Sequence, residues 1–179
     1  MLKFVIFLIF FLTISKLNVS LKLCERSPKW SLNGKTFPYD FKSNFKLLAF
    51  LKTSCSFCRK QAKNLGLLDN ELKAENKSVA ILIVNSYDYD CIGRSHIFRN
   101  LTHVNVFQDI PKMDVWRINN ASIDDMIIFD KYNRMVKHLS MPDSFVHSGS
   151  VKQAILEIYN KDMCSDNNKR ISMKSRKPV

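Results

Sequence analysis

No second CxxC follows the one at Cys55–Cys58, and the histidines His96, His103, His138 and His147 stand at no spacing that suits a metal. A structural zinc site needs four ligands at matched spacing. Cys91 with His96 is a poor substitute for the missing pair, so neither a metal nor a cofactor is expected. After residue 14 no apolar run is long enough to span a bilayer. Basic stretches lack interleaved aromatics, which argues against nucleic acid as a partner. Acidic residues are scarce as well: 16 Asp and Glu face 28 Lys and Arg, a net charge of +12 with a pI near 9.6. Part of the excess lies in a tail, residues 165–179, with Lys169-Arg170 and a basic run from Lys174 to Lys177. The tail has no apolar periodicity and is expected to be disordered. The remaining lysines are scattered over helix faces, which is ordinarily a solvated surface. In a secreted protein such a surface also favours heparan-like polyanions and acidic membranes.

What is present at the start reads as a secretory signal over residues 1–20. Lys3 supplies the positive end and Phe4 to Ile14 the apolar core, closed by Ser15, Lys16 and Asn18. Cleavage is expected between Ser15 and Leu23, with no stable membrane insertion afterwards. A retained anchor is the alternative, and the run is short for one. Three sequons agree with secretion: Asn76-Lys77-Ser78, Asn100-Leu101-Thr102 and Asn120-Ala121-Ser122. In an oxidising compartment disulfides persist, and there are five cysteines: Cys24, Cys55, Cys58, Cys91 and Cys164. If Cys55 and Cys58 pair, Cys24 and Cys164 flank the folded region and are candidates to tie its ends. Cys91 is then a buried small hydrophobe, a third redox thiol, or a competing partner for either outer cysteine.

The chemistry centres on Cys55-Ser56-Phe57-Cys58. An apolar run, Leu47-Leu48-Ala49-Phe50-Leu51, precedes it, and a basic amphipathic stretch beginning Arg59-Lys60-Gln61 follows. Strand, tight turn and helix put the first cysteine where unpaired N–H groups and the helix dipole stabilise an anion. The thiolate is the species that attacks disulfides and peroxides, and Cys58, one turn on, is placed to resolve the bond that Cys55 makes. A disulfide that merely staples the turn is the duller reading. The strand-before, helix-after setting favours redox chemistry.

Periodicity supplies the remaining elements. Ala62, Leu65, Leu68 and Leu72 make one apolar helix face. Val79-Ala80-Ile81-Leu82-Ile83-Val84 is an uninterrupted run, as in a strand buried on both faces of a parallel sheet. A short helix around Ser95 to Leu101, a brief strand at Val104–Phe107 and a helical turn from Met113 to Ile118 come next. Asp125–Asp130 and Met135–Leu139 read as a hairpin turning at Lys131-Tyr132-Asn133-Arg134, with Asn133 left-handed. A final helix spans about Ser150 to Asn160, Ser150 serving as its N-cap. This order predicts an α/β, thioredoxin-like fold over residues 23–164, a mixed sheet flanked by helices. Its site lies at the carboxyl ends of the parallel strands, where Leu51 leads to Cys55 and Val84-Asn85 ends.

Several landmarks in order resemble the N-terminal domain of the selenoprotein P family. They are Cys24 then Trp30-Ser31, Leu51-Lys52-Thr53-Ser54-Cys55-Ser56-Phe57-Cys58, Ile83-Val84-Asn85, and Asp114-Val115-Trp116. After these come Asn120-Ala121-Ser122-Ile123-Asp124-Asp125, Ile128-Phe129-Asp130, Arg134-Met135-Val136-Lys137-His138-Leu139, and Pro142. Vertebrate members carry selenocysteine where this chain has Cys55. The resemblance implies a secreted, glycosylated redox protein with glutathione-peroxidase-like or thiol–disulfide activity, and it places Asn120 on a family sequon. The typical member continues into histidine-rich and selenocysteine-rich stretches, whereas this sequence ends in its lysine-rich tail. Ile123-Asp124 also stands where thioredoxins have the proline that shapes the substrate groove, which disfavours general protein-disulfide reduction.

Two further residues have open roles. Trp116 is either an indole beside the catalytic group or a core aromatic. Asn85 either donates to a peroxide oxygen or caps a turn. The leading expectation is a redox protein reducing peroxides or small disulfides, with Cys55 attacking, Cys58 resolving and a small thiol resetting the pair. Its rivals are a non-enzymatic glycoprotein that binds polyanions or a receptor, and a selenium-linked carrier.

Overall fold

The computed structural model describes residues 22–165. The expected signal and all but the first residue of the basic tail lie outside them. The central strand, β3 (Phe45–Leu51), is almost wholly apolar, and only Lys46 interrupts it. It pairs in parallel with β4 (Val79–Asn85), Phe45 opposite Val79 and Leu51 opposite Asn85. Outside β4 lies β5 (Asn105–Gln108), also parallel. On the other side β6 (Met126–Phe129) runs antiparallel to β3, and β7 (Met135–Leu139) antiparallel to β6. The sheet order is therefore β5-β4-β3-β6-β7, and the sheet is mixed. Asn133 turns the last hairpin with φ 61°, and its Oδ1 accepts from the Lys46 ammonium at 2.8 Å. Burial lowers the pKa of Lys46, against the pull of Asp130.

Side chains alternate across a strand, so the runs Leu47-Leu48-Ala49-Phe50-Leu51 and Ile81-Leu82-Ile83-Val84 supply two cores at once. On one face Leu47, Ala49, Leu51, Ile81 and Ile83 pack with Ala62, Leu65, Leu68 and Leu72 of the long helix α1 (Ser56–Ala74). Val151, Ile155 and Ile158 of α4 (Ser150–Asn160) join them. Each fully buried aliphatic side chain contributes about 1.5–3 kcal/mol. Two polar residues of α1 are buried with partners. Gln61 holds Ser144 O and the Val146 N–H, at 2.9 and 3.1 Å, and Asp69 meets His103 at 2.7 Å. Gly66 lies where a Cβ would sit 2.6 Å from Thr102 Oγ1, so the loop after α2 (His96–Arg99) approaches α1 closely there.

The other face is closed by an element that the sequence analysis leaves unassigned. β1 (Trp30–Leu32) and β2 (Lys35–Phe37) form a hairpin through Asn33 and Gly34, both at positive φ. That Asn-Gly turn matches the twist of a tight hairpin. Trp30 stacks on Phe37 at 4.9 Å, and Phe37 meets Phe129 edge-on at 5.4 Å. Leu48, Phe50, Leu82 and Val84 complete this core, with Val115 of α3 (Val115–Ile118).

Two smaller expectations change. Gly149, at φ 85°, occupies the cap position of α4, and Ser150 is its first helical residue with no capping bond. The left-handed approach of the chain selects glycine there. The brief strand β5 starts one residue later than periodicity suggests. A disulfide joins Cys24 to Cys164 across 140 residues, with Cα atoms 5.5 Å apart.

Candidate redox site

β3 ends at Leu51, and the chain turns through Lys52-Thr53-Ser54 into α1. The turn is held from behind. Asn85, fully buried at the end of β4, accepts the Thr53 N–H on Oδ1 at 3.0 Å. Its amide donates to Cys91 O at 2.9 Å and to Gln108 Oε1 at 2.8 Å. Every polar atom of the Asn85 side chain is thus engaged in joining the turn, the following loop and β5. Of its two open roles, turn capping is the one the geometry supports. Arg59 adds a brace, its Nη1 donating to Thr53 O at 2.7 Å.

Cys55 is the N-cap of α1, extended at φ −87° and ψ 122°, and its sulfur accepts the Cys58 N–H at 3.2 Å. An uncapped helix start leaves such donors unsatisfied, so the backbone here offers a bond to an anionic sulfur. Cys55 is half-buried and Cys58 fully buried, and neither sulfur is in a disulfide. Burial raises the pKa of the Cys58 thiol, and the neighbouring Cys55 sulfur and Asp124 add to the shift.

Asp124 is the residue whose importance sequence reasoning missed. Its carboxylate and the two sulfurs lie within 4.8 Å of one another. It comes from the segment just before β6, at φ 63°, with its N–H donating to Phe50 O at 2.8 Å. Only 7% of it is exposed, and burial raises its pKa. Two sulfurs and one carboxylate are one short of the four protein ligands of a structural zinc.

Cys91 is a buried free thiol on the neighbouring loop, its sulfur 3.3 Å from Ser54 Oγ and 3.4 Å from Asp90 Oδ1. Trp116 packs edge-on against Phe50 at 5.6 Å, and its indole N–H donates to Val84 O at 3.2 Å. The indole is therefore a packing group with its donor already engaged. The histidines are dispersed. His103 bonds Asp69, His138 bonds Asp125 at 2.9 Å, and His96 and His147 lie on separate surface elements. Asn76, Asn100 and Asn120 are all exposed, Asn76 directly after α1 and Asn120 on the loop leading to Asp124. Beside that loop a cavity of about 410 Å³ is lined by Lys52, Tyr87, Asp88, Trp116, Ala121 and Ile123, among others. The Lys52–Asp88 ion pair, at 2.5 Å, closes one wall.

Residues 20–177 match the family model described as "Selenoprotein P, N terminal region". Selenoprotein Pb of Danio rerio is 30% identical over 148 residues, 80% of this chain and 56% of that protein. Selenoprotein P of Homo sapiens is 30% identical over 148 residues, again 80% of this chain but 39% of that protein. The chain thus spans about half, or less, of the length of these relatives. Among solved structures, the thioredoxin domain of a thiol-disulfide oxidoreductase from Bacteroides vulgatus superimposes with a TM-score of 0.56 at 20% identity. The match covers 76% of this chain and 99% of that domain, and it shows the thioredoxin-like fold.

Proposed function

Because the chain belongs to the selenoprotein P N-terminal family and carries a vicinal thiol pair at a helix start, we propose that it is a secreted thiol-dependent redox protein. The observation that carries this reading is the asymmetry of the pair. Cys55 is accessible and receives a backbone N–H bond on sulfur, while Cys58 is buried one turn behind it. The Cys55 thiolate attacks one sulfur of a small disulfide, forming a mixed disulfide and releasing the first thiolate. The Cys58 sulfur then attacks Cys55, closing the Cys55–Cys58 disulfide and releasing the second thiol. With a peroxide, Cys55 takes the terminal oxygen as a sulfenic acid and an alcohol or water leaves. Cys58 then condenses with it, releasing water. Two equivalents of an external small thiol restore the pair.

Small substrates are favoured because Asp124, at the end of the loop before β6, lies against the pair. A glycan on exposed Asn120 would add bulk at the rim of that loop. Secretion is supported by the signal-like start and by three exposed sequon asparagines, in keeping with the surface requirement for glycosylation.

The test is turnover of hydrogen peroxide and of a small disulfide by single variants. Cys55→Ser is expected to abolish both. Cys58→Ser should accumulate a mixed disulfide or an oxidised Cys55. Equal alkylation rates for the two thiols at neutral pH, or full activity in Cys55→Ser, would overturn the assignment. Insulin reduction as fast as peroxide turnover would overturn the small-substrate reading, and Asn120→Gln shows how much of the selectivity the glycan supplies.

A further inference from the structure

The Cys58 thiol poses a problem that the reaction above leaves open. A sulfur attacks as its thiolate, yet Cys58 is fully buried and burial disfavours that anion. Its proton must leave as the sulfur attacks, toward a base already inside the protein. We propose that Asp124 is that base: it takes the Cys58 proton in the resolving step and returns it when the disulfide is reduced. The inference rests on the redox reading of Cys55 and Cys58.

Three observations carry it. First, the Asp124 carboxylate is within 4.8 Å of both sulfurs, in reach directly or through one water. Second, the carboxyl is buried without a cation. Its Oδ1 has no hydrogen-bond partner, and the groups acting on it are Cys58 from α1 and Asp125 from its own segment. Asp125 is occupied by His138 Nε2 at 2.9 Å and the Ser122 N–H at 2.8 Å. The nearby cations point elsewhere, Lys52 to Asp88 and Arg59 to Thr53 O. A buried carboxyl with no cation beside it is costly, and the group this one faces is the Cys58 thiol. Third, the backbone holds it in place. Asp124 sits at φ 63°, a left-handed position that aspartate tolerates, and its N–H is tied to Phe50 O on the strand that leads to Cys55.

The step balances. Cys58–SH, the Asp124 carboxylate and the mixed disulfide Cys55–S–S–R yield the Cys55–Cys58 disulfide, RS⁻ and the Asp124 carboxylic acid. The proton then passes to the departing thiolate or to solvent. In the reverse direction the acid protonates Cys58 sulfur as it leaves.

The experiment is a single turnover with equimolar dithiobis-nitrobenzoate in a Cys91→Ser background, which removes the third thiol from the count. Attack by Cys55 releases one nitrothiobenzoate, and attack by Cys58 releases the second. Asp124→Asn should slow the second release by about 10²-fold, a typical general-base contribution, and slow the first far less. Asp124→Glu should recover part of the rate. In the parent protein the second release should rise with pH through an inflection below the ordinary thiol range, and that inflection should vanish in Asp124→Asn. A second release unchanged in rate and pH profile by Asp124→Asn overturns the proposal. A parent profile that simply follows hydroxide through the thiol range also overturns it, whether or not the variant folds. If the parent gives no second release at all, the CxxC reading falls, and the role of Asp124 with it.

Discussion

Replacing both Cys24 and Cys164 by serine removes the covalent tie between the ends of the domain. The bond closes a loop of 140 residues. In the chain-entropy treatment a loop of that length restricts the unfolded chain by about 5 kcal/mol at 25 °C. With about 2.1 cal/mol/K of unfolding entropy per residue, the melting temperature of such a domain falls by roughly 16 °C. The native arms keep other anchors. Cys24 N–H donates to Met135 O at 2.7 Å, Met135 N–H to Glu25 O at 2.8 Å, and Arg134 bridges to Asp162 at 2.9 Å. The loss should therefore come from the unfolded ensemble, with the native fold retained. The Cys55–Cys58 end should hardly notice. Met135 pairs with Phe129, which pairs with Lys46, so the bond lies at the end of the sheet opposite Leu51. Five residues of strand separate them, about 17 Å at 3.3 Å per residue. The assay is urea unfolding of the double variant against wild type, with first-phase nitrothiobenzoate release measured in parallel. A loss of less than about 1 kcal/mol, well below the loop-closure figure, would refute the entropic argument. A folded variant whose Cys55 reacts much more slowly would refute the separation of the two ends.

Gly66→Ala places a Cβ 2.6 Å from Thr102 Oγ1. The helix gains about 1 kcal/mol from alanine, but overpacking costs about 1–3 kcal/mol, so the variant should unfold at lower urea. In a Thr102→Ala background the same change should become stabilising, and thermal melts of the four proteins check the reversal of sign. Asp124→Asn should change stability with pH. Burial holds the Asp124 pKa above its ordinary value, so the unfolded chain releases this proton near pH 4 and the folded chain only at higher pH. Folding stability is lost as pH rises between the two values and stays lost above both. The asparagine variant should therefore be more stable than wild type at pH 7, and the gain should vanish below about pH 4. Equal differences in unfolding free energy at both pH values would refute the reasoning.

Much of the frame is legible in the chain because its signals are local. Val79 to Val84 reads as a doubly buried strand, Asn133 as a left-handed turn, and Ala62 to Leu72 as a helix face. The β1–β2 hairpin carries its own signal, Asn33-Gly34 between alternating Trp30, Leu32 and Phe37. Strands of three residues are too short for periodicity to stand out, though the turn residues alone could have marked them. The cap of α4 is set by backbone handedness at Gly149, which a preference for serine caps does not register. The two cysteines are legible from strand, turn and helix, but Asp124 is not. It reaches them only because β6 pairs with β3 across the intervening chain, Met126 against Ala49. No local pattern shows that an aspartate after Ile123 will be buried beside sulfur. Asn85 has two open roles in the sequence for the same reason, since its partners Thr53, Cys91 and Gln108 are brought together only by the parallel strands.

The bracing of the turn before Cys55 by Asn85 bears on how that turn is held. The Thr53 N–H, the Cys91 carbonyl and Gln108 are anchored by a side chain on another strand, and that side chain exchanges no electrons. None of these three bonds involves Cys55 or Cys58, so the same side chain can hold the turn whatever the state of the two sulfurs. The brace ties the start of α1 to β4 and β5 independently of the thiols beside it.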